Sequence, residues 1–145
     1  MAIIPLISAG TTGPLGVRHL PRLWFKTLLS AVGELPEGYK DIRPGFDYMV
    51  LEGLKIDPDK AREFIVQERP TYLEFERWIK SQPGVDVSPG NIAEINAQVI
   101  GRRKSEASRR KILTANGLPD DGSITGSIML NDLDDWQSVH AQLIG

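Results

Sequence analysis

The sequence predicts an all-α protein: a single compact domain over residues 1–145, with about five helices and an extended N-terminal segment. Three observations carry this prediction. Apolar residues recur at helical spacing in several segments, helix-starting residues precede those segments, and Gly or Pro ends them. The length of 145 residues, with 41% apolar and 25% charged, is ordinary for one globular domain.

The first predicted helix begins at Leu20-Pro21, runs to about Val32 and stops at Gly33. Proline suits the first helical turn because its missing N–H would have no partner there. Apolar residues cover most of this helix, apart from a narrow polar stripe that includes Arg22 and Lys26. A helix that is apolar nearly all round lies at the centre of a domain, so we expect it to be the core helix.

Three shorter helices follow a loop rich in Gly and Pro. Their starts are marked by N-cap residues and by proline, and Thr71 and Glu74 have the spacing of a capping box. The three are expected from Phe46 to Leu54, from the N-cap Asp57 to before Pro70, and from the N-cap Thr71 to before Pro83-Gly84.

The longest predicted helix runs from Ser88-Pro89 to about Ala115 and changes character midway. Its apolar face continues as a ladder of alternating charge formed by Arg102, Glu106 and Arg110. The helix is expected either to bend at the changeover, where Gly101 stands, or to leave the core and become a solvated, salt-bridged face.

The C-terminal part of the sequence predicts a last helical segment from Asn131 to Leu143. Aspartates fill its first turn, where the helix dipole favours negative charge. Before it, the alternation of apolar and polar residues from Ser123 to Leu130 predicts an extended stretch.

Charge is unevenly distributed along a chain whose formal net charge is −2. Residues 102–111 carry six basic residues and one Glu, whereas residues 118–145 carry five Asp and no Lys or Arg. A basic stretch followed by an acidic one of equal size can neutralise itself within the chain, which argues against nucleic acid as a partner. Arg102, Glu106 and Arg110 are therefore expected to be exposed or paired with those aspartates.

Cellular location is indicated by what the sequence lacks. It has no cysteine, which excludes disulfides, thiolate metal sites and a cysteine nucleophile, and which fits a reducing cytoplasm. The segment from Met1 to Gly10 has no Lys or Arg before its apolar run, and Pro5 interrupts that run, so we expect it to lie extended on the domain rather than to be a signal peptide. After this segment, no stretch approaches the ~18 uncharged residues of a membrane span. The expectation is a soluble cytoplasmic protein without a membrane partner.

The best candidate site surrounds the start of the first helix. A helix N-terminus attracts anions through its free N–H groups and its dipole. Arg22 adds a planar fork for a carboxylate or phosphate, and Lys26 adds a point charge one turn further on. The predicted ligand-binding residues are Arg18, His19, Arg22 and Lys26. The alternative is that the cations pair internally with Asp47 or Glu52.

Two classes of function remain open on this evidence. The favoured one is a non-catalytic module that binds a small anionic ligand or a partner protein. The other is an enzyme that performs acid–base chemistry on a small carboxylated or phosphorylated substrate, with His19, Asp47 and Glu52 as candidate catalytic residues. No cofactor is predicted, and no metal, because the two histidines lack metal-binding spacing. The oligomeric state is left open.

Three segments carry a resemblance to a known family. They are Gly16-Val17-Arg18-His19-Leu20-Pro21-Arg22 with Lys26 one turn on, the run from Phe46 to Asp57, and Ile124-Thr125 followed by Leu133-Asp134-Asp135. Together they resemble a bacterial family of small proteins classified only as a domain of unknown function. The chain differs from that family in a longer loop from Glu34 to Pro44 and in a longer basic helix. The resemblance implies one domain and no particular reaction.

Overall fold

In the computed structural model, which describes residues 2–145, the chain forms seven α-helices and no sheet. The all-α prediction is confirmed, but the number of helices is seven rather than about five. The helices are α1 (Leu20–Ala31), α2 (Phe46–Gly53), α3 (Pro58–Glu68), α4 (Tyr72–Ser81), α5 (Pro89–Gly101), α6 (Glu106–Ala115) and α7 (Ser127–Ile144).

The hydrophobic core is built by α1 to α5, and α1 packs against α2, α3 and α4. The prediction that the first helix is the core helix is confirmed, since it buries Leu20 and Leu23 completely. The remaining two helices, α6 and α7, pack on one another, and α7 also packs on α5. Large side chains buried in this core from the other helices include Leu51, Ile65, Phe75, Ile79 and Ile95.

Helix starts follow the capping signals of the sequence closely. The Thr71 hydroxyl accepts the backbone N–H of Glu74 at 3.2 Å, and the Glu74 carboxylate accepts the backbone N–H of Thr71 at 3.0 Å. The predicted capping box is therefore present. Asp57 likewise accepts the N–H of Asp59, and proline occupies the first turn of α1, α3 and α5.

The long helix expected from Ser88 to Ala115 is interrupted, which corrects the sequence prediction. After Gly101 the chain becomes extended at Arg102, and a new helix starts at the N-cap Ser105, whose hydroxyl accepts the N–H of Ser108. The carbonyl of Arg102 accepts the N–H of Ser127 at 2.9 Å, so a distant segment replaces a lost helical hydrogen bond. The sequence left two alternatives for the segment after Gly101, a bend or a solvated face. α6 forms the largely solvated face.

The stretch from Ser123 to Leu130 is also corrected. Only its first half is non-helical, and Gly126 forms an isolated antiparallel bridge with Arg103. From Ser127 the chain is helical, and Leu130 of this helix is completely buried. The C-terminal helix therefore begins four residues before the predicted Asn131.

The N-terminal segment lies against the domain, as predicted, over the described residues from Ala2; Met1 lies outside them. Ile3 donates its N–H to the carbonyl of Glu34 at 2.7 Å, and Ala2 accepts a hydrogen bond from Gln142. None of the helices in residues 2–145 is long and apolar enough to cross a membrane.

Close packing at Gly13 anchors the turn that leads into α1. A Cβ there would lie 2.4 Å from Cε2 of Tyr72 and 2.6 Å from Oε2 of Glu76. The buried Glu76 carboxylate accepts the backbone N–H of Leu15 with both oxygens. Only glycine leaves room for this approach of backbone to α4.

Candidate functional site

A cavity of about 290 Å³ lies where the starts of three helices meet. The N-cap residues of α1, α2 and α6 all line it: His19, Gly45 and Ser105. The second turn of α7 closes another side with Asn131 and Asp134. Since a helix N-terminus carries a positive partial charge, this convergence favours a negatively charged occupant.

One wall of the cavity is a buried group of three side chains around Asp47. The Asp47 carboxylate binds Nε2 of His19 at 2.7 Å through one oxygen and Nζ of Lys26 at 2.9 Å through the other. It also accepts the backbone N–H of Arg43. Asp47 of α2 thereby binds both the N-cap residue of α1 and Lys26 within α1. This group helps to hold the two helices together.

The protonation of this group follows from burial and pairing. Burial lowers the pKa of His19 below its usual value, despite the hydrogen bond to Asp47. Burial opposes ionisation of Asp47, but its hydrogen bond with His19 and the charge of Lys26 outweigh that effect and lower its pKa. Burial likewise lowers the pKa of Lys26 against the attraction of Asp47. We assign an ionised Asp47 beside a neutral His19, because the Lys26 ammonium already supplies the compensating charge.

His19 has an unusual backbone and an unpartnered ring nitrogen. Its φ of 73° lies in the left-handed region, which non-glycine residues seldom adopt. Its ring stacks on Phe46 with centroids 5.0 Å apart. With Nε2 on Asp47, the buried Nδ1 has no hydrogen-bond partner within the described chain.

Arg22 forms a second buried ion pair, with Asp135 of α7. Its guanidinium donates to both carboxylate oxygens, at 2.6 and 3.2 Å, and also to the carbonyls of Pro5 and Ile7. The hydroxyl of Tyr39 donates to the same carboxylate at 2.9 Å. Arg22 therefore joins α1, α7 and the N-terminal segment, and all these partners are internal.

A second group of cations in the lining lacks such partners. The loop before α2 contributes Lys40 and Arg43, and the break between α5 and α6 contributes Arg102, Arg103 and Lys104. Within residues 2–145, none of these five forms an ion pair with a carboxylate. Seven cationic side chains and two carboxylates line the cavity. Because Arg22 is already paired with Asp135, which lies outside the lining, a surplus of four positive charges remains with His19 neutral.

Gly45 starts α2 with a backbone conformation that other residues rarely adopt. Its φ of 126° and ψ of −136° lie outside the regions open to other residues. A Cβ at this position would lie 3.4 Å from Nη2 of Arg102. The Arg102 guanidinium lies over the Phe46 ring, 5.4 Å from its centroid, in a cation–π contact.

The structure brings together most of the predicted site residues. His19, Arg22, Lys26 and Asp47 line one cavity, whereas Glu52 is exposed and does not line it. Arg18 lies outside the lining as well, because its guanidinium donates to the carbonyl of Gly10. The sequence left open whether the cations pair with internal carboxylates. Lys26 does pair with Asp47. Arg22 is paired as well, but its partner is Asp135 rather than Asp47 or Glu52.

The basic residues of the stretch 102–111 are expected from the sequence to be neutralised by the C-terminal aspartates. This holds only for the second half of the stretch. Arg109 and Arg110 pair with Asp120, and Arg110 also pairs with Glu106. Arg102 lines the cavity instead, half-buried and without a carboxylate, which contradicts the expectation for that residue. The helix break separates the two halves, and the unpaired half is the part of the site that sequence reasoning missed.

No protein-family model matches this sequence, and no curated protein matches it either. The resemblance to the bacterial family of unknown function stays a prediction. The arguments about the site therefore depend on its residues alone.

Proposed function

We propose that the protein binds a small anionic ligand, phosphorylated or carboxylated, in the cavity between α1, α2 and the α5–α6 break. The observation that carries the proposal is the set of five lining cations that form no ion pair with a carboxylate within residues 2–145. Like charges gathered in a partly enclosed space repel one another, and a bound anion relieves that repulsion. The three converging helix starts act in the same direction.

A small molecule fits this site better than nucleic acid does. The cavity volume of about 290 Å³ is close to the lower end of the range for small-molecule pockets. Among the five cations without an ion pair, Arg102 is the one that stacks on an aromatic ring. The site therefore lacks the row of aromatic residues on which the bases of a single-stranded nucleic acid stack. The proposed ligand is a compact molecule carrying two or more negative charges.

The test is a thermal-shift and calorimetric titration with pyrophosphate, inorganic phosphate and citrate. Sodium chloride at equal ionic strength controls for screening. Saturation at a hundred times the dissociation constant stabilises the folded state by about 2.7 kcal/mol. Arg43→Ala and Arg102→Ala should lose most of this shift, whereas Arg77→Ala, an exposed arginine of α4 outside the cavity, should keep it. Equal shifts in all four proteins, or none beyond that of sodium chloride, would contradict the proposal.

An acid–base enzyme remains the second candidate, supported by the His19–Asp47 pair. A carboxylate that holds one imidazole nitrogen leaves the other as a base, as in hydrolytic triads. Here that nitrogen, Nδ1, is buried, and the ring stacks on Phe46, so a substrate reaches it only if neighbouring side chains move. Turnover of p-nitrophenyl phosphate or its carboxylate ester analogues, abolished by His19→Asn and retained by His140→Asn, would favour the enzyme over the binding module.

A further inference from the structure

Lys104 occupies an anchored position in the wall of the cavity. It lies in the break between α5 and α6, where the chain is held on both sides. Before it, the Arg102 carbonyl binds the N–H of Ser127 and Arg103 pairs with Gly126. After it, Ser105 caps α6. The backbone of Lys104 is thus fixed relative to α7, and its side chain is half-buried.

The charges around Lys104 come from four elements. Arg43 lies in the loop before α2, Arg102 in the same break and Arg22 on α1, and all three disfavour a further positive charge. Asp134 of α7 acts in the opposite direction but does not reach ion-pair distance. Burial lowers the pKa of Lys104, and the charges of Arg43 and Arg102 lower it further.

The other two lysines of the cavity are placed differently. Lys26 is buried with its ammonium bound to Asp47 at 2.9 Å, so its nitrogen is engaged as a donor. Lys40 is exposed on the loop. Lys104 alone among the three combines partial burial, a position against guanidinium groups and an amine without a carboxylate partner.

We propose that Lys104 is a nucleophilic amine that forms an imine with aldehydes or ketones bearing a phosphate or carboxylate group. Lysine amines become nucleophiles when they are desolvated or lie beside other cations. The proposal rests on the proposed function, because the unpaired arginines must hold the anionic group of the ligand. The partner is an anionic carbonyl compound.

The reaction balances without an oxidant or reductant. The neutral amine nitrogen of Lys104 bonds to the carbonyl carbon and gives a carbinolamine. The carbonyl oxygen then leaves as water with the two hydrogens of the amine, and a C=N bond remains. Burial and the neighbouring arginines lower the pKa of the Lys104 ammonium, which raises the share of neutral amine available for the first step, and the arginines neutralise the phosphate or carboxylate of the ligand.

The experiment uses pyridoxal 5′-phosphate as the probe, with phosphate-free pyridoxal for comparison. Borohydride reduces any imine to a stable secondary amine, and peptide mass spectrometry locates it. We expect one main adduct, at Lys104, formed on the order of tenfold faster with the phosphorylated aldehyde, because a cleft of one charge concentrates its counter-ion. Pyrophosphate should protect against it. Lys104→Arg, which keeps the charge, should lose this adduct, and Lys80→Arg, an exposed control on α4, should keep it.

Three results decide the matter. Preferential, pyrophosphate-sensitive labelling of Lys104 supports the proposal. Adducts spread evenly over the exposed lysines, or an unchanged adduct level in Lys104→Arg, would overturn it. The thermal assay separates the two proposals when labelling of Lys104 fails. If pyrophosphate then still stabilises wild type and Lys104→Arg, anion binding stands and only the nucleophile is refuted; if pyrophosphate stabilises neither, both proposals fall.

Discussion

Replacing Arg22 with methionine tests whether this residue holds the fold together or mainly serves the ligand. Arg22 is 5% exposed and Asp135 is 3% exposed. Methionine retains the bulk of the side chain but removes the donors to both oxygens of Asp135 and to the carbonyls of Pro5 and Ile7. Asp135 is then left buried with only the Tyr39 hydroxyl as a donor.

The size of the effect follows from that uncompensated carboxylate. Removing one partner of a buried ion pair costs about 3–5 kcal/mol. For a domain of this size each kcal/mol lowers the melting temperature by about 2–4 °C, so we expect a fall of roughly 6–20 °C in Arg22→Met. Urea denaturation followed by far-ultraviolet circular dichroism gives the free energy of unfolding directly.

Two further variants separate the buried pair from a general loss of charge. Arg22→Met combined with Asp135→Leu removes both charges and should be more stable than Arg22→Met alone by at least about 1 kcal/mol, because no unpaired carboxylate remains. Arg77→Met on the surface of α4 should change stability by less than about 0.5 kcal/mol. A loss below about 1 kcal/mol in Arg22→Met, or no recovery in the double variant, would refute the structural role assigned to this pair.

Two other predictions concern pH and packing. Because burial lowers the pKa of His19, the unfolded chain binds more protons than the folded one below about pH 6.5, so stability falls as the pH drops through that value. His19→Asn keeps a hydrogen-bond donor and tolerates the left-handed backbone. It should flatten the dependence of the urea midpoint on pH between pH 6.5 and 5. A dependence unchanged from wild type, or one equally flattened by His140→Asn, would contradict this. Gly13→Ala should destabilise by about 1–3 kcal/mol through its clash with Tyr72. Gly90→Ala, where nothing lies within 4 Å, should be neutral or stabilising, and equal thermal midpoints for the two variants would refute the packing argument.

The helices that the sequence predicts well are those whose signals are local. Thr71 and Glu74 lie within one turn of each other, and Asp57 stands directly before Pro58, so the information that starts α3 and α4 is contained in a few consecutive residues. The interruption at Arg102 depends instead on Ser127, which lies in a distant part of the sequence. Gly101 marks a possible bend in the sequence, but the helical spacing of charges continues past it to Glu106 and Arg110. The hydrogen bond from Ser127 to the Arg102 carbonyl, which the sequence does not reveal, accompanies the break at this point.

The candidate site was predicted in part for a similar reason. The polar stripe of Arg22 and Lys26 on an apolar helix indicated a cavity or internal carboxylates, and the structure has both. That Arg43 and Lys104 line the same cavity depends on how a loop and a helix break meet, which no spacing in the sequence encodes. The sequence signals for these residues are a Gly- and Pro-rich loop that carries Arg43 and, much farther along the chain, a basic run that carries Lys104.

The positive cavity in a chain of net charge −2 results from where the aspartates are engaged. Asp135 is bound to Arg22, Asp120 to the arginines of α6, and Asp132 accepts a hydrogen bond from Ser8. Of the five C-terminal aspartates only Asp134 lines the cavity. Equal and opposite totals along the sequence therefore do not cancel in space, because the fold commits most of the acidic groups to other partners. Since a partly enclosed site is screened by salt less than the surface is, this local surplus, rather than the net charge, is what supports the proposed binding of an anion.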